Sequence, residues 1–161
     1  MNRIAYHQSI SEAKLIIAEK LIESDKIARA LSNNQTNFLD IPTSNPEELI
    51  YKNIFPYGFI PQTADEKKTY ITLGTGQFER VESKYKSGII RINIFAHQDL
   101  MKTDYGTTRT DFILQEIDEL LNGAEGISIG QFQYERSSQL TVNETHYGCY
   151  VEYKMWEFNR L

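Results

Sequence analysis

The sequence predicts an α+β fold: an antiparallel or mixed β-sheet of about four strands with a helix packed on one face, preceded by an N-terminal helical arm. Gly88 to Gly123 carries most of the prediction, because it reads as a strand, a polar connection and an amphipathic helix in direct succession. Apolar and polar residues alternate with period two on both sides of that helix, so hairpins separated by a helix form the sheet. A three-to-four-residue apolar spacing opens the chain before any strand signal.

Ser9 followed by Glu12 is a capping box, in which hydroxyl and carboxylate each satisfy an amide left orphaned by the first helical turn, and it predicts a helix start at Ser9. Ile10, Ala13, Ile17 and Leu21, then Ala28 and Leu31, keep helical spacing, widened by Leu15, Ile16 and Ile22. Ser24 and Asp25 interrupt the pattern and can cap a second helix. Residues 1–36 therefore read as a helical hairpin or bent helix with a joint near residues 23–25. Asn33 and Asn34 suit the turn that ends it.

All four prolines, at 42, 46, 56 and 61, fall between Phe38 and Pro61, so residues 37–67 are expected to be an extended, ordered linker. Pro46 to Tyr51 suits one short helix, with proline in the first turn and acidic residues at the positive end. The run Ile54, Phe55, Tyr57, Phe59 and Ile60 is too apolar for a free loop and packs either on the domain's own sheet or on a neighbouring subunit.

Residues 68–161 form the α+β core of what is one domain overall. A first strand runs from about Lys68 to Glu79, and a solvated hairpin tip follows with Ser87 and Gly88 as its turn. The next strand sets Ile90, Ile92, Ile94 and Ala96 on a dry face and Arg91, Asn93, Phe95 and His97 on a wetter one. Phe112, Ile113, Ile117, Leu120 and Leu121 make the apolar stripe of a helix that starts near Thr107 to Asp111 and is closed by Gly123. Alternation resumes at Gly126, with a bulge at Gly130; Arg136 to His146 is an extended hairpin loop, and Tyr147 to Phe158 is the last strand.

With 17 Lys+Arg against 22 Asp+Glu among 161 residues, the formal charge of −5 disfavours a nucleic-acid reader, which needs clustered cations. Cys149 is the single cysteine, so no internal disulfide can form, which fits a reducing compartment. No apolar run approaches the roughly 20 residues needed to span a bilayer, and the chain is expected to be soluble with no membrane partner.

No catalytic, cofactor-binding or metal-ligating signature emerges, so neither enzymatic activity nor a cofactor is expected. His7, His97 and His146 lack zinc-site spacing, and of the acids Asp99, Asp104 and Asp111 that could join His97 in a metal cluster, Asp104 and Asp111 flank a helix start, where acids are wanted anyway. Asp65, Glu82 and Lys84 faintly echo a metal-dependent nuclease and define the enzymatic alternative. Cys149 sits in a strand pattern as a small core residue, and Gly74-x-Gly76 lacks the lysine and following helix of a phosphate loop.

The strand IRINIFAHQD, the turn Tyr105-Gly106-Thr107-Thr108-Arg109-Thr110-Asp111, the helix FILQEIDELLNG and the segment NIFPYGFIPQTADEKKTYIT together resemble the tail terminators and related head-to-tail connector (neck) proteins of tailed bacteriophages. The resemblance implies a structural virion protein, made in the host bacterial cytoplasm and located in the phage tail or neck. It implies self-association into a ring, usually a hexamer, that ends the tail tube and docks the head connector or adaptor protein, with DNA crossing the lumen without specific binding. A head-completion or adaptor protein is the alternative within the same family of roles. A ring needs two different complementary patches per subunit. The candidates are the aromatic link (Ile54, Phe55, Tyr57, Phe59), the turn before the helix (Tyr105, Arg109, Asp111) and the last hairpin (Gln139, Leu140, Val142). Charge reversal at Arg109 or Asp111 is expected to weaken assembly and leave the monomer folded.

Overall fold

Helix α1 (Tyr6–Glu23) and helix α2 (Asp25–Ser32) meet at Ser24, whose extended backbone breaks the helix while its hydroxyl accepts the Ile27 amide at 3.4 Å. The computed structural model describes residues 6–158, with side chains from Ile10 onward. The joint lies where the sequence places it. The start does not: Ser9 lies inside α1, because each residue added to an existing turn gains a hydrogen bond and carries the helix past a local capping signal. Asn33 ends α2, its amide bonded to the Arg29 carbonyl.

Residues 37–67 pack against the core. Phe38–Asp40 and Pro46–Leu49 form 3₁₀ turns, the second where a short helix is expected, and Phe38 and Leu49 are buried. Asn53 is buried as well, donating from Nδ2 to the Leu31 and Thr69 carbonyls and so stitching α2 to the sheet. A two-residue strand, β1 (Ile54–Phe55), pairs parallel with β2 (Thr69–Val81) through Ile71 and Thr72. It makes the sheet five-stranded and mixed.

The remaining strands are β3 (Tyr85–His97), β4 (Gln133–Thr141) and β5 (His146–Phe158), with helix α3 (Arg109–Leu121) between β3 and β4. The order is β1-β2-β3-β5-β4, antiparallel except for β1. In the centre Ile92 lies opposite Leu73 on one side and Val151 on the other. Ile90, Ile92 and Ile94 form one dry layer with Ile71, Leu73, Cys149, Val151, Tyr153 and Met155. All three helices pack on that face, contributing Ile17, Leu21, Ile27, Leu31, Phe112, Ile113, Ile117 and Leu121. Among the described residues no α-helix packs on the opposite face.

Two turns differ from expectation. The β2–β3 turn is Glu82–Lys84, with Glu82 at φ 60°, and Ser87 and Gly88 lie within β3. Gly88 is a packing glycine: a Cβ there would sit 2.5 Å from the Phe78 ring, which covers the strand in its place. The stretch from Gly126 to Phe132 is a loop whose Ile127 and Phe132 drop into the core, and the segment expected as a long hairpin loop is largely strand β4, with the turn at residues 142–145. β4 escapes a periodicity reading because it lies at the sheet edge, and almost all its side chains face water. Beside it, Gly148 of β5 admits no side chain, since a Cβ would strike the Ile94 carbonyl of β3.

Arg109, the first residue of α3, is fully buried at 0 % exposure. Its guanidinium donates to the carbonyls of Leu100, Ala30, Asn33, Asn34 and Gln35, at 2.8 to 3.2 Å. These include the carbonyls at and beyond the end of α2 that no helical amide can reach, so one cation caps one helix from the first turn of another. Phe38 lies under the guanidinium, 4.7 Å from its centre. Burial pushes the group down to about 10, which leaves it charged at neutral pH. Arg109→Met should lower unfolding free energy by about 3–5 kcal/mol, because it strands buried acceptors. Urea denaturation checks this, and a loss below about 1 kcal/mol would mean that water replaces the guanidinium there.

Candidate functional site at the aromatic end of the sheet

Of the segments the sequence marks as candidate interfaces, the structure brings two together and separates the third. Phe55 leaves β1 on the face without helices and stacks on Phe59 at 4.1 Å, with Tyr57 edge-on at 5.6 Å. Tyr70 of β2 and Phe95 of β3 continue the cluster, their rings 5.5 Å apart, and Leu140 and Val142 of the β4–β5 hairpin pack against it. Asn143, in the turn, donates from Nδ2 to the Pro61 carbonyl at 2.9 Å and fastens the linker to the hairpin. The linker's second half therefore folds over the end of the sheet and shows Tyr57 (51 % exposed) and Ile60 (65 % exposed) to solvent.

The individual candidates divide by burial. Ile54 is fully buried in the main core and Phe55 nearly so in the aromatic cluster, so neither offers a surface. Tyr57 and Gln139 are exposed, whereas Phe59, Leu140 and Val142 are half-buried. The turn before α3 turns inward. Tyr105 packs edge-on against Phe38 at 4.9 Å and its hydroxyl accepts the Leu39 amide, while Arg109 is committed to the interior. Reversing charge at Arg109 would thus attack the fold itself, which corrects the expectation of a folded variant. Asp111 alone of that group is exposed, in the first turn of α3, where Thr108 caps the helix by accepting the Asp111 amide.

Sequence reasoning missed Tyr70 as part of this end, and within the candidate hairpin Arg136 to His146 it did not single out Asn143 or His146. The one available signal was Phe95, an aromatic on the strand face expected to be wet. His146 is buried against Tyr70, Phe95 and His97, the two imidazoles 5.5 Å apart. Asn143 Oδ1 lies 3.1 Å from its Nδ1 and also accepts its backbone amide, while Nε2 is buried without a partner. His97 Nδ1 accepts the Asp99 amide, and Asp99 in turn pairs with Lys67 at 2.6 Å.

The enzymatic alternative loses its geometry. Asp65 precedes β2 and Glu82 follows it, so a 13-residue strand separates them, roughly 40 Å at about 3.3 Å per residue. No single metal ion spans that distance. Among the described residues no group of His, Cys, Asp and Glu side chains is arranged to hold a metal ion. Cys149 is buried in the core, its thiol pushed up to about 12 chiefly by burial. No helix among the described residues is long and apolar enough to cross a membrane.

The family model for YomW matches residues 24–155, which is 132 of the 161 residues. The chain belongs to that family, a Bacillus phage-derived family of the prophage type. The match begins at the helix joint and ends within β5, so it takes in the linker and nearly all of the sheet. No curated protein matches the chain.

His146 gives the aromatic end a pH dependence with a defined sign. Burial first, then the neighbouring His97, lowers the His146 pKa, and Asp65 opposes the shift only in part. The unfolded chain therefore takes up this proton more readily than the folded one. Stability from this group is complete above the ordinary imidazole value and falls as pH drops through it toward the lowered folded value. Thermal melts between pH 7.5 and 5 should show Tm declining in the wild type, and His146→Asn, which keeps an amide within reach of Asn143, should flatten the decline. An unchanged slope in that variant would assign the effect to other groups.

Proposed function

We propose that this member of a phage-derived family is a structural component of the phage neck, a ring-forming protein that ends the tail tube and docks it to the head connector. The observation that carries the reading is the aromatic end of the sheet. There a conformationally fixed linker presents Tyr57 and Ile60 to water beside the half-buried Phe59, Leu140 and Val142. A rigid, partly apolar patch held by Asn143 and backed by stacked rings needs little ordering when a partner covers it, and aromatic anchors of this kind dominate interface energetics. Phage descent of the family supports a virion role over a host adaptor. The element order supports a terminator, because the strand, turn and helix from Gly88 to Gly123 resemble the corresponding stretch of terminator and connector proteins. A formal charge of −5 suits a ring through which DNA passes without sticking, since few cations are available for phosphate contacts.

Deleting the gene from an inducible phage and imaging the lysate tests the reading. The expected result is unjoined heads together with tails of uncontrolled length, and restoration of whole particles by the gene in trans. Tyr57→Ser with Ile60→Ser should leave the protein folded and reproduce the defect. Free tails of normal length beside heads that lose DNA would favour the head-completion alternative. Normal particles that do not contain the protein would overturn a neck role altogether.

A further inference from the structure

The two edges of the sheet are unlike each other, and each is left open. On β4, the Val142 amide bonds to the His146 carbonyl, so residues 140, 138 and 136 face β5 by strand alternation. Ser137, Gln139 and Thr141 then direct their amides and carbonyls outward. On the other edge β1 covers only Ile71 and Thr72 of β2, and the strand continues uncovered through Val81. The Ile71 amide bonds outward to Asn53, which puts Thr75 on the outer side as well. The bulge between Gly76 and Glu79 shifts the alternation by one, so Phe78 and Arg80 face outward beyond it.

Direction, side-chain facing and charge agree on how these edges fit. β2 and β5 run the same way, because each is antiparallel to β3, and β4 is antiparallel to β5. A second copy placed beside the first in the same orientation therefore sets its β2 antiparallel to β4, and the sheet continues without reversal. In one register Thr75 lies opposite Gln139, Phe78 opposite Ser137 and Glu79 opposite Arg136, up to the bulge that sets off Glu135. Thr75 and Gln139 both point to the helix-covered side, as their partners Ile90 and Cys149 show, whereas Glu79 and Arg136 both point to the open side with Ser87 and Glu152. On that side Arg91 and Arg136 share the single carboxylate of Glu152, at 4.0 and 3.4 Å, which leaves one guanidinium charge in excess. Glu79 is exposed and has no ion-pair partner among the described residues.

We infer that β4 of one copy pairs antiparallel with the uncovered half of β2 in a second copy, with Glu79 seated against Arg136 across the joint. The contact is heterologous, each copy using a different edge on its two sides, so it repeats from copy to copy and closes into a ring where the accumulated rotation allows. This inference deepens the ring reading above and rests on it. It names the surfaces by which copies meet and leaves the aromatic end free for a different partner.

Cysteine crosslinking tests the pairing. Residues 79 and 136 form a non-hydrogen-bonded pair in this register, the closer of the two antiparallel spacings, and the native Cys149 is buried. Oxidised Glu79→Cys/Arg136→Cys protein should give a ladder of covalent oligomers beyond the dimer on a denaturing gel, whereas either single variant should give none. Light scattering on the uncrosslinked protein should show association weakened at least tenfold by Glu79→Arg or by Arg136→Glu, and recovered when both are combined. Both residues are exposed, so circular dichroism should be unchanged throughout. A ladder that stops at dimer with Arg136→Cys alone would mean that two β4 edges pair with each other, and would overturn the inference. Oligomers that form normally without this crosslink would overturn the pairing and leave the ring reading standing. A chain that stays monomeric at high concentration and when mixed with purified tails would overturn both.

Discussion

One buried cation joins the start of α3 to the end of α2 and the turn beyond it. Arg109 begins α3, yet its hydrogen bonds run to carbonyls as far as 79 residues away, at the end of α2 and in the turn beyond it. Helix ends leave carbonyls unpaired, and burying them against another element is tolerable only if donors follow them inward. A guanidinium suits this position better than an ammonium, because its planar fork serves several acceptors at once. Around it Phe38, Tyr105 and Phe112 form an aromatic triad that fixes the start of the linker. The path of the linker, and therefore the place where Tyr57 and Ile60 emerge, follows from that anchor.

With α1, α2 and α3 on one side, the sheet is left to solve its other face by local means, and it does so unevenly. At the linker end the face is dry, closed by Phe55, Tyr70 and Phe95 under the folded-back loop. Along the middle it turns polar, with Asn93 donating to the Thr72 hydroxyl and Arg91 lying 3.6 Å above the Tyr150 ring. Arg91 and Arg136 then converge on Glu152. Such a gradient gives one face two chemistries, an apolar patch at one end and a charged network toward the other, and a subunit that meets unlike neighbours requires surfaces that differ in this way.

How much of this the sequence discloses depends on whether the determining interaction is local. The joint at Ser24 is legible because a cap involves residues three apart. The alternation of Ile90, Ile92 and Ile94 is legible because one face is wholly buried, and the α3 stripe for the same reason. Strand β4 is opaque, because at an exposed edge nothing forces apolar residues into alternate positions, and its identity as a strand comes entirely from pairing with β5. Arg109 is opaque in the opposite way: an arginine in the first turn of a helix reads as a surface charge, and only the distant carbonyls reveal that it belongs inside. The aromatic end was half legible. Phe55, Tyr57 and Phe59 announce themselves by composition, but their convergence with Leu140 and Val142 depends on the fold bringing the linker and the last hairpin to one end of the sheet.

The edge pairing, if copies join in that way, also constrains how assembly would behave. A joint of about eight residues contributes backbone hydrogen bonds worth roughly 1 kcal/mol each in net terms, with few apolar groups to add to them. Ordering two strand edges and removing translational freedom offsets much of that gain. Each single joint would therefore be weak, and an open string of copies would stay short. Closing a ring adds one more joint without immobilising another copy, so the closed form gains disproportionately over every open intermediate. The charged and bulged character of both edges fits the same logic, because it suppresses indiscriminate edge-to-edge aggregation while allowing the one register in which Glu79 meets Arg136. A protein built on these terms would assemble only to a defined size, and it would keep its aromatic end exposed until a second, chemically different partner covered it.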